Sequence, residues 1–386
     1  MGRPLIAAWS RTALLALLCT LCGAPGARSQ SVDSVAARLA GPRHPSRSQF
    51  AFTAAVGRQH DDNVLQLTKR NLERFATNPG APRFLIPQVA DMSTTFEASG
   101  RMRGRPLPRR ETRLGVDLAV IRFDHDDVAD WEQFGLQLAQ ELTATKRRLL
   151  TLELYGNRIP SYYLGEITDL DSSVALGRRV RSSLTYKQTR FGIRLRQATW
   201  GGRLELSGAL EHEHRDYNAR FAERDNDDDQ FRIAADLAPF TRWPASVRVA
   251  WERGDRNARG DLPETPSLVD TDISYDHEGV GVAITLPWGR GPWRGRADAT
   301  YAPEIRRYTT TDKFDVIRFG RENHRREVGV RVTQRVWGPF DALVTWSRLT
   351  SRAEFNQGIT FPAAETNFAQ EQVRFALRGR WEIGFR

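Results

Sequence analysis

The chain has 386 residues, a formal charge of +10 and 40% hydrophobic residues, with a mean hydropathy of −0.52 and an isoelectric point of about 10.1. No run of about 18 apolar residues follows the N-terminal stretch, which excludes a bundle of spanning helices but not a transmembrane barrel, whose alternating strands average to a soluble-looking hydropathy. Only four of the 57 basic residues are lysines (Lys69, Lys146, Lys187 and Lys313), and no basic cluster sits on a helical reading platform, so the charge is not read as a nucleic-acid footprint.

Residues 1–29 read as a secretory signal peptide. Arg3 and Arg11 flank a short apolar run, Ala13 to Cys22, far below the ~20 residues a spanning helix needs. Ala27-Arg28-Ser29 fits a small-x-small rule and places cleavage before Gln30. Cys19 and Cys22 lie inside the signal without a lipoprotein context, so the mature chain is expected to have no disulfide or thiolate chemistry. Residues 30–48 form a leader, with one short amphipathic pattern (Val32, Val35, Leu39) before a Pro- and Arg-rich linker.

From residue 49 the chain alternates with a period of two, which is the signature of strands. Fourteen segments follow: 49–59, 91–103, 109–123, 132–142, 147–157, 183–197, 203–215, 230–240, 246–253, 272–286, 293–308, 326–337, 340–350 and 370–386. The segment 183–197 is less regular, with only Phe191, Ile193 and Leu195 defining its later half. The last is the most regular. Val373, Phe375, Leu377, Trp381, Ile383 and Phe385 share one face, against Arg374, Arg378, Arg380 and Glu382 on the other.

The links decide the architecture. Six are short: 104–108, 143–146, 198–202, 241–245, 287–292 and 338–339. The other seven are mostly longer, up to about thirty residues at 61–90. Short and long alternate strictly, as the turns and outer loops of outer-membrane barrels do, and a soluble sandwich or propeller has no reason to segregate its loops so. The expected fold is therefore all-β: a single antiparallel transmembrane β-barrel of about 14 strands over 49–386, with short periplasmic turns and long extracellular loops. Trp200, Phe240, Trp243, Trp288, Trp293, Trp337, Phe340 and Phe385 lie at or beside short turns. Rings with apolar bodies and polar tips suit a membrane interface there.

The first strand and its loop read AAVGRQHDDNVLQL. Gly57 followed by Asp61, Asp62, Asn63 and Val64, with Trp381, Ile383 and Phe385 at the other end, resembles a broad group of Gram-negative outer-membrane barrels. That group includes porins of unassigned function and the barrel domain of surface-lipoprotein assembly modifiers. His60 stands where the group often has Tyr, and residues 30–48 cannot hold the helical-repeat domain of the modifiers. The resemblance implies residence in the outer membrane beside lipopolysaccharide, and recognition of the terminal strand by the barrel-assembly machinery. It implies no substrate.

With apolar faces toward lipid, the charged faces line a lumen. Arg294, Arg296, Arg374, Arg378 and Arg380 are the leading pore-lining candidates, joined by Arg232, Arg248, Glu252, Asp298 and Glu382. An excess of Arg biases such a lining toward anions; the competing reading is cross-strand pairing that braces the wall or closes the pore. Acid-rich stretches at 124–127 and 225–229, with Asp169 and Asp171, read as solvated outer loops rather than cation sites. Glu211-His212-Glu213-His214 puts two His on one face without a third ligand, a weak metal pattern. No Gly-x-Ser-x-Gly elbow and no His-x-Ser cluster occurs, so no catalytic residue, metal or cofactor is nominated. The expected function is a porin-like channel for passive passage of small polar solutes, with a weak anion preference. The alternatives are an export or surface-assembly barrel for polysaccharide or lipoprotein, and an outer-membrane hydrolase.

Overall fold

A strand that alternates apolar and charged residues buries one face only when its sheet has two different surroundings. Closing the sheet on itself supplies them. The computed structural model describes residues 48–79, 81, 86–107, 110–145, 148–169, 180–238, 245–259, 273–289, 293–310, 318–355 and 366–385. The signal and leader expectations, together with Trp243, Phe240 and Asp171, lie outside the described residues.

The strands are β1 (Ser48–Asp61), β2 (Asp91–Leu107), β3 (Arg110–Phe123), β4 (Trp131–Ala144), β5 (Leu149–Asp169), β6 (Val180–Thr199) and β7 (Leu204–Tyr217). Then follow β8 (Asn226–Leu237), β9 (Ser246–Ala258), β10 (Tyr275–Trp288), β11 (Gly295–Tyr308), β12 (Arg321–Trp337), β13 (Phe340–Phe355) and β14 (Phe368–Phe385). Each pairs antiparallel with its sequence neighbours, and β14 returns to β1 to close a 14-stranded barrel. The seam runs without a break from Ser48 opposite Phe385 to Asp61 opposite Gln372. Full closure leaves no sheet edge, the condition for a sheet to sit in lipid.

The register turns the apolar faces outward. Val56, Leu136, Phe191, Leu210, Val336 and Phe375 are all more than half exposed. The buried set is mostly polar and charged and faces inward, including Glu153, Glu213, Asp228 and Arg256. This inverts a water-soluble protein, in which large apolar side chains are the most buried class. The outward band on β14 runs from Val373 to Ile383, a length that at about 3.3 Å per residue and a tilt near 40° spans about 25 Å. No helix among the described residues is long and apolar enough to cross a membrane.

Local devices hold the wall. Gly192 leaves room for the Tyr155 ring, since a Cβ there would lie 2.6 Å from Cζ. The tight link between β12 and β13 places Gly338 at φ +51°, a left-handed conformation cheap only for glycine.

The seam carries its own clasp at the long-loop end. Asp61 Oδ2 accepts from Gln370 Nε2 at 2.8 Å and Gln372 Nε2 at 2.7 Å, and Asp61 Oδ1 accepts from the Asn63 amide at 2.9 Å. Asn63 Nδ2 donates to the carbonyls of Leu67 and Ala369, and its Oδ1 accepts from the Leu67 amide. Asp62 Oδ1 accepts from the Glu371 amide at 2.6 Å. The Asp-Asp-Asn run thus ties the first loop to the final strand.

Several boundaries differ from the sequence expectation: β9, β12 and β13 each run five residues further toward the long loops, and the larger changes fall elsewhere. Strands β5 and β6 extend well past 157 and before 183, replacing much of an expected loop with paired strand. Register shifts between Ile159 and Tyr162 and between Tyr163 and Gly165 break the period of two there. Strand β8 begins at Asn226, so the Asp run at 225–229 is largely strand and not a solvated loop. Asp169, likewise assigned to a loop, is the last residue of β5. The link after β1 contains a helix, α1 (Lys69–Thr77), capped by the Thr68 side chain; it has no strong signal in the sequence.

Candidate pore and its charged wall

Alternation places Arg232 and Asp236 of β8, Arg248 and Glu252 of β9, Arg296 and Asp298 of β11, and Arg374, Arg378, Arg380 and Glu382 of β14 on the lumenal face, opposite the exposed apolar set. Arg294 is different. It precedes β11 in an exposed turn, where its carbonyl accepts from the Arg335 amide, so it belongs to the short-turn rim and not to the wall.

Every other nominated cation holds a carboxylate. Arg232 lies 2.6 Å from Glu252 and 3.6 Å from Glu211. Arg248 lies 3.8 Å from Asp236, Arg296 2.8 Å from Asp298, Arg374 2.5 Å from Glu97, Arg378 2.8 Å from Asp341 and Arg380 2.6 Å from Glu382. Thr285 Oγ1 also donates to Asp298 at 2.7 Å. Lumenal register adds acids that a reading of the most regular strands misses, among them Glu153, Glu213, Asp228 and Glu304. The surplus of arginine over acid is therefore smaller on the wall than the sequence pattern suggests.

The largest network runs from β5 to β10. Glu153 lies 2.6 Å from Arg196 and 3.4 Å from Arg194 and accepts from Gln137 Nε2 at 2.6 Å. Tyr155 donates to Glu211 at 2.6 Å. Glu213 accepts from Arg190 Nε at 2.9 Å and from Arg256 Nη2 at 3.1 Å, and lies 2.8 Å from Arg215. Asp228 accepts from Arg256 Nε at 3.0 Å and faces His277 Nε2 at 3.1 Å. These pairs join residues on one strand or on strands no more than two places apart. None of them reaches across the lumen.

Above this network, toward the long loops, the wall turns aromatic. Tyr162, Tyr186 and Tyr217 line up across β5–β7 with centroid spacings of 5.3 and 5.4 Å. Arg215 sits 4.9 Å over Tyr186, Arg256 and Arg306 sit at 5.1 and 5.0 Å over Tyr275, and Arg321 sits 5.1 Å over Tyr308. Cations over ring faces are held electrostatically. The sequence reading passed over this lining because it tracked the outer, apolar face of β6. The inner face of β6 keeps its period throughout: Tyr186, Gln188, Arg190, Arg194, Arg196.

Outside, Trp337 stacks on Phe340 at 5.8 Å, Phe340 meets Trp381 edge-on at 6.0 Å, and Trp381 stacks on Phe52 at 5.9 Å. Trp293 is highly exposed, and Trp288 Nε1 donates to Gln334 at 3.1 Å. Phe385 closes β14 opposite Ser48. A second set lies higher: Trp251 Nε1 donates to Glu278 and Trp346 Nε1 to Glu371, each at 2.9 Å. The apolar band is thus flanked at both ends by indoles.

At the outer rim, Asp124 pairs with Arg58, which holds its carboxyl below the usual range. His125 Nδ1 lies 2.9 Å from Asp91, whose hydrogen bond raises the imidazole pKa. Asp126 is fully buried, with both side-chain oxygens unpartnered, and burial pushes its carboxyl up to about 6. His212 and His214 face outward onto Asp229 and Asp227 at 2.7 and 2.8 Å, while Glu211 and Glu213 face the lumen.

No protein-family model matches the chain, and no curated protein matches it. Solved structures similar to it include a Pseudomonas aeruginosa FadL homologue, 10% identical with a TM-score of 0.47, covering 94% of this chain and 95% of that one. An anion-selective porin from Comamonas acidovorans is 9% identical with a TM-score of 0.38, covering 87% and 100%. A bacterial polysaccharide outer membrane secretin is 10% identical with a TM-score of 0.38, covering 86% and 98%. Similarity at this level carries no argument about solute or mechanism; the barrel stands on its own strand order and register.

Proposed function

We propose that the protein is an outer-membrane channel for passive passage of small polar solutes, with a weak preference for anions. One observation carries the reading: a closed wall that is apolar outside and ionic inside, whose ion pairs among the described residues run along the wall instead of across the lumen. Barrels of about 8 strands are filled by their own side chains and those of 16–18 hold water, so 14 strands with wall-bound pairs leave a polar path. Pairing cancels most of the field. The preference that remains follows from reach, since guanidinium groups on long stems project further into the lumen than the carboxylates they pair with.

Purified, folded protein in planar bilayers tests this. The expected result is discrete ohmic steps, with a small reversal potential on the anion side under a salt gradient. Folded protein that never conducts, or that passes cations better than anions, overturns the reading.

A further inference from the structure

Arg326 on β12 and Arg348 and Arg352 on β13 form an outward cluster that the channel does not use. Arg326 lies opposite Thr350 in the ladder, and Arg348 and Arg352 flank Thr350 two residues to either side on the same face. Diagonal neighbours of this kind stand about 7–8 Å apart, within reach of long side chains. All three arginines are exposed, and none has an ion-pair partner among the described residues. Some outward arginines elsewhere are paired, as Arg58 with Asp124, Arg122 with Glu132, and Arg307 with Glu322 at 3.0 Å; others, Arg158 and Arg253, stand singly, and what sets this cluster apart is that three lie together. The outward acids beside the cluster are engaged by other groups: Glu354 lies 3.5 Å from His324, and Glu371, opposite Arg348 in the β13–β14 ladder, accepts from the Trp346 indole at 2.9 Å.

Height identifies the surroundings. Val330 and Val344 lie below the cluster on the same face and Val328 stands level with Arg348, all exposed as the rest of the apolar band is. Trp346, one outward position below Arg348, donates its indole N–H to Glu371 and marks the upper belt. The cluster therefore starts where hydrocarbon ends, at the long-loop end. Three cations gathered there, with no carboxylate of the described residues at ion-pair distance, repel one another, and an anion between them removes that cost.

We propose that Arg326, Arg348 and Arg352 bind a phosphomonoester on the headgroup of a glycolipid in the leaflet at the long-loop end. A phosphomonoester carries a charge of about −1.5 to −2 and three acceptor oxygens, which matches three guanidinium forks better than a singly charged diester does. The proposal rests on the membrane reading above but not on conduction.

The test uses folded barrel in maltoside micelles, which carry no phosphate. Lipid A with its phosphates, the same lipid dephosphorylated, and phosphatidylglycerol are titrated and binding is followed by native mass spectrometry. Phosphorylated lipid A is expected to bind about tenfold tighter than either comparator. The triple variant Arg326→Ala, Arg348→Ala, Arg352→Ala loses that preference, while Arg307→Ala on the neighbouring strand retains it. Heat-modifiable migration confirms that both variants fold. If a misfolded triple variant is obtained, Arg326→Gln and Arg348→Gln singly are expected to weaken binding in part. Equal binding of all three lipids, a triple variant that keeps the preference, or displacement of the lipid by inorganic phosphate at equal concentration each overturns the proposal. A barrel that conducts as proposed yet shows no lipid preference sinks this inference alone; one that enters no micelle or bilayer sinks the membrane reading with it.

Discussion

Asp126 shows how a single carboxyl sets the chemistry of a loop. It is buried without partners beside Asp91, which accepts from the amides of His125 and Asp126. Burial favours its neutral acid and raises the pKa to about 6. A raised folded-state pKa contributes stability below the ordinary value and loses it as pH rises through the folded one. His125, raised by Asp91, acts in the same direction: its contribution is present below the ordinary imidazole value and is lost above the raised one. From these two groups the segment 124–130 is thus expected to be held most firmly below the ordinary carboxyl range, to loosen as pH rises to about 6, and to loosen further as the imidazole deprotonates. Amide-exchange protection factors, corrected for intrinsic rates, measure this; protection that grows with pH contradicts it, and Asp126→Asn should flatten the lower part of the profile. Arg256 makes the opposite kind of case. It is buried between Glu213 and Asp228, both almost fully enclosed. Arg256→Ala leaves Asp228 with His277 alone and Glu213 with Arg190 and Arg215, so the expected cost is about 3 kcal/mol, the lower end of what losing one partner of a buried pair takes. Urea unfolding in micelles should show a loss of this order, and a change below about 1 kcal/mol would mean that water screens the pair.

At the scale of elements, the seam between β1 and β14 is the joint on which closure depends. Asn63 spans both sides, through Leu67 on its own loop and Ala369 on the last strand. Asn63→Ala leaves these backbone groups unpaired, at about 1–3 kcal/mol. The expected result is a lower unfolding temperature with exchange loss concentrated at 366–372, and uniform loss around the barrel would place the weak point elsewhere. The same motif explains what the sequence could and could not disclose. Strand number and order were legible because fourteen stretches alternate and their links segregate by length, both local signals. The clasp was visible only as a resemblance, since its partners lie over 300 residues apart in sequence. β5 was cut short because register shifts near Pro160 erase the period, and β8 was started late because Asp227 to Asp229 are polar on both faces. Charged wall positions could be read from parity. Their partners could not, because pairing such as Arg374 with Glu97 skips over β1 and depends on how the barrel closes.

For the whole molecule, the decisive claim is that inside and outside are exchanged relative to a water-soluble protein. Adjacent residues on β4 test it directly. Leu136 points outward and is 64% exposed. Gln137 points inward and donates to Glu153 at 2.6 Å. In a bilayer, Leu136→Arg puts a charge into hydrocarbon near the middle of the band, at about 2–4 kcal/mol. Gln137→Arg puts the same charge beside Glu153 in exchange for one neutral hydrogen bond, and is expected to cost less than about 1.5 kcal/mol. The two sites share chain position and the introduced side chain, so apart from the Gln137–Glu153 hydrogen bond the difference is the medium each face meets. Reversible unfolding from phospholipid vesicles measures both. A larger penalty at Gln137 than at Leu136 would mean that the outer face meets water and the lumen is dry, and the channel reading would fall with it. The expected order, with the cost at Leu136 shrinking in detergent as water penetrates the thinner apolar shell, would tie the exposed apolar band to lipid without reference to any other barrel.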